Sequence, residues 1–182
     1  MRKAILSVSG ILFTVALAAQ TPPRSAIDIT AADVQAVKKA RPQAIDQQIR
    51  VVDIGKYNVA VGVLHREERP GAQGGPISHD QVTEIYYITE GSGTLVTGGI
   101  LVGGKPSAAE SEVVKVLVGP SVTGVSLQNA QSRKVGPGDV IIIPPSVGHH
   151  FTSIDRHIDY VVFRVDGDHV LPAGYVNDAV KK

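Results

Sequence analysis

The texture of this chain changes at Ile49, and that change constrains the fold more than any other feature. From there to Val165 the sequence is a succession of short β-branched runs, IRVVDI, YNVAVGVLH, EIYYIT, GTLVTGGILV, SEVVKVLV, DVIIIPP and IDYVVFRV, separated by glycine and proline. Many short strands with regular turn residues predict an all-β sandwich or barrel and argue against alternating helix and strand. In YNVAVGVLH, Tyr57, Val59, Val61, Val63 and His65 share one face, while Asn58, Ala60, Gly62 and Leu64 share the other. The first set is the larger and is expected to face the core, with His65 at its rim. A helical period is absent after Pro42, the last ten residues aside.

Upstream of the strands, Thr30-Ala31-Ala32-Asp33 has the spacing of a capping box with Asp in the Glu position, and helix formers follow it. A helix is expected over about 31–40, ended by Arg41-Pro42 because proline disfavours helical geometry in the residue before it. Further upstream, Met1-Arg2-Lys3 precedes the apolar run Ala4 to Ala18 and then a polar, proline-containing stretch. A basic start, an apolar run and small residues at its end form the pattern of a secretory signal peptide, with cleavage after Ala18 or Ala19. The run is shorter than the roughly 20 residues a membrane span needs. The expected organisation is a signal peptide at 1–18, an N-terminal segment at 19–48, a β-barrel at 49–170 and a C-terminal tail at 171–182. The mature protein is expected to be secreted or periplasmic, with no stable membrane anchor once the leader is removed.

Composition narrows the chemistry. The formal net charge is +1 and becomes −1 when Arg2 and Lys3 leave with the leader, so no broad field attracts nucleic acid. The absence of cysteine excludes disulfides, thiolate metal sites and a cysteine nucleophile. Only oxygen and nitrogen ligands remain for a metal. Gly99 to Lys105 spells G-x-x-x-x-G-K, but Pro106 stands where a phosphate loop needs Ser or Thr, and the setting is a hairpin.

Two of the six histidines sit in informative contexts. GGPISHDQVTEIYYITEGSG places His79 and Glu84 at the entry to an apolar strand that ends at Gly91, and GPGDVIIIPPSVGHHF delivers His149 beyond a turn, a strand and a Pro-Pro stop. Imidazole suits iron, zinc, copper and nickel, and carboxylate suits the harder ions. Together these segments resemble the cupin superfamily, whose motifs read G-x5-H-x-H-x3,4-E-x6-G and G-x5-P-x-G-x2-H-x3-N. His79, Glu84 and Gly91 keep the spacing of the first motif's second half, and Gly138, Pro144 and His149 keep that of the second. One motif histidine is missing: depending on the alignment of His79, either Ile77 or Gln81 stands in its place. Ser146 and Ser153 replace the second motif's glycine and asparagine, and the segment from about Thr94 to Val135 is longer than in compact members.

The resemblance implies a small jelly-roll-type barrel holding a divalent metal on His79, Glu84 and His149, with Gln81 as a fourth ligand or as a hydrogen-bond partner of His79. Iron is the first expectation, with manganese, nickel, copper and zinc as alternatives. Two histidines and one carboxylate with open positions is the set used by non-heme iron oxygenases. The implied activity is a dioxygenase acting on a small organic molecule, with Glu84 and Tyr86 as catalytic residues. The alternatives are a metal-dependent isomerase or lyase and a non-catalytic sugar or small-ligand binder. A homodimer is also implied by the resemblance.

Tyr86 and Phe151 fall two residues after Glu84 and His149 and line the same interior, where core packing is their simplest role. His150 alternates with His149 and is expected outside, while His157 and His169 read as surface. Arg66 and Arg164 can hold a substrate carboxylate, but both read more simply as solvated strand ends.

Overall fold

The computed structural model describes residues 23, 25–68 and 75–181; the expected signal peptide lies outside them. Helix α1 spans Ala31–Ala40 and opens on the expected capping box: the Asp33 amide donates to Thr30 Oγ1 at 3.2 Å and the Thr30 amide to Asp33 Oδ2 at 2.9 Å. These bonds satisfy amides that a helix start leaves without intrahelical partners. Among the described residues, no helix is long and apolar enough to cross a membrane.

The remainder is mostly strand: β1 (Asp46–Asp53), β2 (Asn58–Glu67), β3 (Ile77–His79), β4 (Val82–Thr97), β5 (Ile100–Val102), β6 (Lys105–Pro106), β7 (Ser121–Thr123), β8 (Ser126–Gln128), β9 (Gln131–Val135), β10 (Val140–Ile143) and β11 (His149–Asp166). β11 lies between β2 and β4, β1 flanks β2, and β10 and β9 pair with successive halves of β4. At its start β11 also pairs with β3, which continues to β7 and β6. This is the all-β barrel expected from the runs and turns. Its interior packs Tyr86, Ile88, Leu95, Ile141, Phe151 and Tyr160 among other buried apolar side chains.

Two local expectations are corrected. In β2 the barrel interior is lined by Asn58, Ala60, Gly62 and Leu64, not by the larger valine set. Val61 and Val63 pack on the outside against Val37 and Val34 of α1. The small residues face inward because the buried Arg164 crosses beneath them: a Cβ at Gly62 would come within 3.0 Å of the Gln47 carbonyl and 3.1 Å of Arg164 Nη1. The run SEVVKVLV is no strand: Val113–Leu117 forms a π-helical turn, closed by the Val118 amide on the Val113 carbonyl and preceded by the Lys115 amide on the Ser111 carbonyl. A 3-10 turn at Asp178–Val180 closes the chain.

The two longest strands stay paired because a bulge absorbs their mismatch. The register shifts between Asp155 and Ile158, where Arg156 adopts φ +66°, opposite Gly91 at φ +67°. A Cβ at Gly91 would sit 1.9 Å from the His157 carbonyl oxygen. Gly91→Ala should therefore destabilise the protein by at least about 1–3 kcal/mol, the cost of a strained left-handed residue plus a backbone clash. Thermal or urea unfolding checks this, and a change below about 0.5 kcal/mol would show that the bulge tolerates a side chain.

Candidate metal centre

β3 ends on His79, β4 carries Glu84 on its inward face, and β11 begins with His149. Their polar atoms converge: His79 Nε2 lies 3.3 Å and His149 Nε2 3.4 Å from Glu84 Oε2. All three residues are buried, at 5%, 2% and 4% exposure in chain order. The imidazoles meet edge to face with ring centroids 5.0 Å apart.

Neighbouring acceptors set the histidine tautomers. Ser121 Oγ donates its one proton to the Gly119 carbonyl at 2.9 Å, so it can only accept from His79 Nδ1–H, also at 2.9 Å. His149 Nδ1 lies 3.0 Å from the Val147 carbonyl, which can only accept. With Nδ1 engaged in this way, each imidazole turns its Nε2 toward the same carboxylate oxygen. A divalent cation between the three groups would satisfy all of them at once. Two ligands each about 2.1 Å from a metal stand roughly 3.0–3.4 Å apart at octahedral or tetrahedral angles. The observed separations fit a divalent ion, and the hydrogen bonds on both Nδ1 atoms are the usual outer support of metal-bound histidines.

The carboxylate is fixed from behind. Arg164, on β11 and fully buried, donates through Nε to Glu84 Oε1 at 3.0 Å, through Nη1 to Gln48 Oε1 at 2.7 Å and through Nη2 to Asp46. Tyr86 donates its hydroxyl to Glu84 Oε2 at 2.7 Å. Burial works to raise the Glu84 pKa, but His149, His79 and Arg164 outweigh it and hold the carboxyl well below its ordinary value. Burial is the leading cause that raises the Tyr86 pKa well above the phenol range, with the Glu84 charge second, so Tyr86 stays a proton donor. For Asp46, burial exceeds the pull of Arg164 and leaves its pKa raised.

His79, Glu84 and His149, recognised in the sequence, come together, and Tyr86 touches them through Glu84. Gln81 lies at the half-buried bend between β3 and β4, and the hydrogen bonds to the cluster among the described residues come from other groups. Phe151 is core, 5.9 Å from the Tyr160 ring between centroids. His150 is half-buried, and His169 is exposed. The reading of Arg164 and Arg66 as solvated strand ends is wrong. Arg164 bridges the buried Glu84 and Gln48 and the half-buried Asp46, and Arg66 donates to the Tyr160 hydroxyl at 3.1 Å and lies over the Phe151 ring at 5.6 Å. The inward parity of Arg164 with Tyr160 and Val162 was visible in the strand; its acidic partner Asp46 was not, because it lies in β1, 118 residues away. Ser121 carried no local signal, since only the β3–β7 pairing sets it opposite His79. Ser121→Ala should lower divalent-metal affinity about 10–100-fold by freeing the His79 ring. Competition titration with a chromophoric chelator measures this, and an unchanged affinity would mean that Ser121 does not orient the ligand.

A small antiparallel barrel with two imidazoles and one carboxylate gathered on its inner wall defines a class of β-barrel whose interior could hold a metal ion. The profile of the Cupin family matches residues 39–181, and the chain belongs to that family. Similar solved structures include BH2720 from Bacillus halodurans, at 14% identity over 87% of this chain and 94% of that one with TM-score 0.46. The DMSP lyase DddQ from Ruegeria pomeroyi is 18% identical over 68% of this chain and 45% of its own, with TM-score 0.38. KdgF from Halomonas sp. is 14% identical over 67% and 79%, with TM-score 0.38. No curated protein matches the chain.

Proposed function

We propose that the protein is an exported, metal-dependent cupin enzyme, with His79, Glu84 and His149 holding one divalent ion and dioxygenation of a small organic molecule as its reaction. The observation that carries the reading is the buried convergence of two imidazole Nε2 atoms on one carboxylate oxygen at 3.3 and 3.4 Å. When bound, an ion of this donor set supplies Lewis acidity and, as iron, a place for dioxygen beside the substrate. The chain's own part is positional. Ser121 and the Val147 carbonyl hold the imidazole tautomers, Arg164 holds Glu84, and the apolar barrel wall excludes water. Gln81 would complete the ligand set through its carbonyl oxygen.

A second reading, a metal-dependent isomerase or lyase, is favoured by Tyr86, a buried phenol kept protonated at 2.7 Å from Glu84 and placed to move a proton. Oxygen uptake separates the two. With iron-reconstituted protein and a panel of small phenols, thiols and hydroxy acids, the oxygenase reading expects substrate-dependent oxygen consumption, lost in His149→Ala. Turnover without oxygen uptake would replace it by the second reading, and ligand binding that persists in His79→Ala/His149→Ala would indicate a non-catalytic binder.

Export rests on the leader, with the chain divided at 18, 48 and 170 as the sequence suggests. Cell fractionation should find the protein outside the cytoplasm with its N-terminus at residue 19 or 20. A homodimer is supported by the outer sheet face, where Tyr87, Val140, Ile142 and Phe163 are exposed on paired strands; light scattering at twice the monomer mass is the expected result.

A further inference from the structure

We propose a second divalent-metal site of zinc or copper type on the outside of the barrel, formed by Glu90, His157 and Asp159 where the bulge of β11 meets α1. Asp159 is paired in register with His65 of β2 on one side and Glu90 of β4 on the other, and His157 lies two residues before it on the same face. One oxygen of each carboxylate and a ring nitrogen of His157 lie within 4.8 Å of one another. His157 Nε2 stands 3.7 Å from Glu90 Oε2, and Asp159 is 4% exposed. The bulge at Arg156 that sets His157 here depends on Gly91, so the arrangement is built into the strand pairing.

Two further features set the charge around Asp159. His65 uses Nδ1 on Asp159 Oδ1 and stands with its ring centroid 6.2 Å from that of His157, so the carboxylate is oriented from behind by an imidazole. The other oxygen of Asp159 is held by the Lys38 ammonium of α1. That ammonium lines a cavity of about 250 Å3 between α1 and the sheet, together with Glu90 and Asp159. Lys38 thus fills with its own charge the place of a small cation, and a metal there competes with it. Imidazole and carboxylate without sulfur suit zinc and copper. The barrel cluster is a separate site on the inner wall, and this inference does not depend on its occupancy.

Zn2+ titration by calorimetry tests the site. In His79→Ala/His149→Ala, one Zn2+ should still bind; adding His157→Ala should weaken it at least tenfold, since removal of mere supporting groups costs about 10–100-fold. Lys38→Met should tighten it about twofold to fivefold, because the half-buried ammonium that competes for Asp159 is gone. Should the barrel variant fail to fold by circular dichroism, His157→Ala in the otherwise intact chain should lower the number of bound Zn2+ ions by one. Binding that is absent in the folded barrel variant, indifferent to His157, or weakened by Lys38→Met would overturn the proposal.

Discussion

Replacing Arg164 by methionine should destabilise the metal-free protein by about 3–5 kcal/mol, because it strands the buried Glu84 carboxylate and the half-buried Asp46 carboxylate. Glu84 and Asp46 both lean on this guanidinium, Glu84 at 3.0 Å, and Gln48 accepts from its third arm at 2.7 Å. Breaking a buried pair from one side removes the Coulombic partner and leaves the desolvation penalty in place. For a chain of this length, a loss of that size lowers the melting temperature by roughly 6–20 °C. Lysine would not restore it, since one ammonium cannot span three acceptors in a planar fork. A melting temperature within about 2 °C of the wild type would mean that water reaches Glu84 after all, contrary to its burial.

Glu84→Gln should reduce divalent-metal affinity more than 100-fold while leaving the barrel folded. The amide keeps the carboxylate's shape and can still accept from Arg164 through oxygen, but it removes the only negative charge among the three convergent groups. Loss of a direct ligand should exceed the 10–100-fold typical of its supporting shell. Circular dichroism alongside metal titration separates the two effects, and a variant that binds as tightly as the wild type would move the ion elsewhere in the protein.

What the sequence conveyed follows from how local each feature is. Barrel strands announce themselves through β-branched runs between turn residues, and the capping box at Thr30 and Asp33 works within one helical turn, so both were legible. His79, Glu84 and His149 were legible because the spacings His79–Glu84–Gly91 and Gly138–Pro144–His149 resemble the two cupin motifs. Arg164 was misread because its strand end looks solvated until β1, more than a hundred residues earlier, folds Asp46 and Gln48 against it. The inward face of β2 was misjudged for a related reason. Size suggested that the valines fill the barrel, yet the interior holds a guanidinium and α1 covers the valines from outside. Val113–Leu117 reads as a strand in isolation, but Ser111 and the preceding turn bend it into a helical turn instead. The continuity of β11 was not legible because it depends on a register shift around Arg156, which takes a left-handed backbone angle across from Gly91 of β4.

Whether the barrel cluster holds one divalent ion is tested most directly by elemental analysis of the protein purified without chelator. Inductively coupled plasma mass spectrometry on the wild type, His149→Ala, and His149→Ala/His157→Ala separates this site from the outer one. The account predicts near-stoichiometric metal in the wild type that falls by one equivalent on loss of His149. A wild type that carries no metal at the cluster, even after reconstitution with iron, manganese, nickel, copper and zinc, would contradict it.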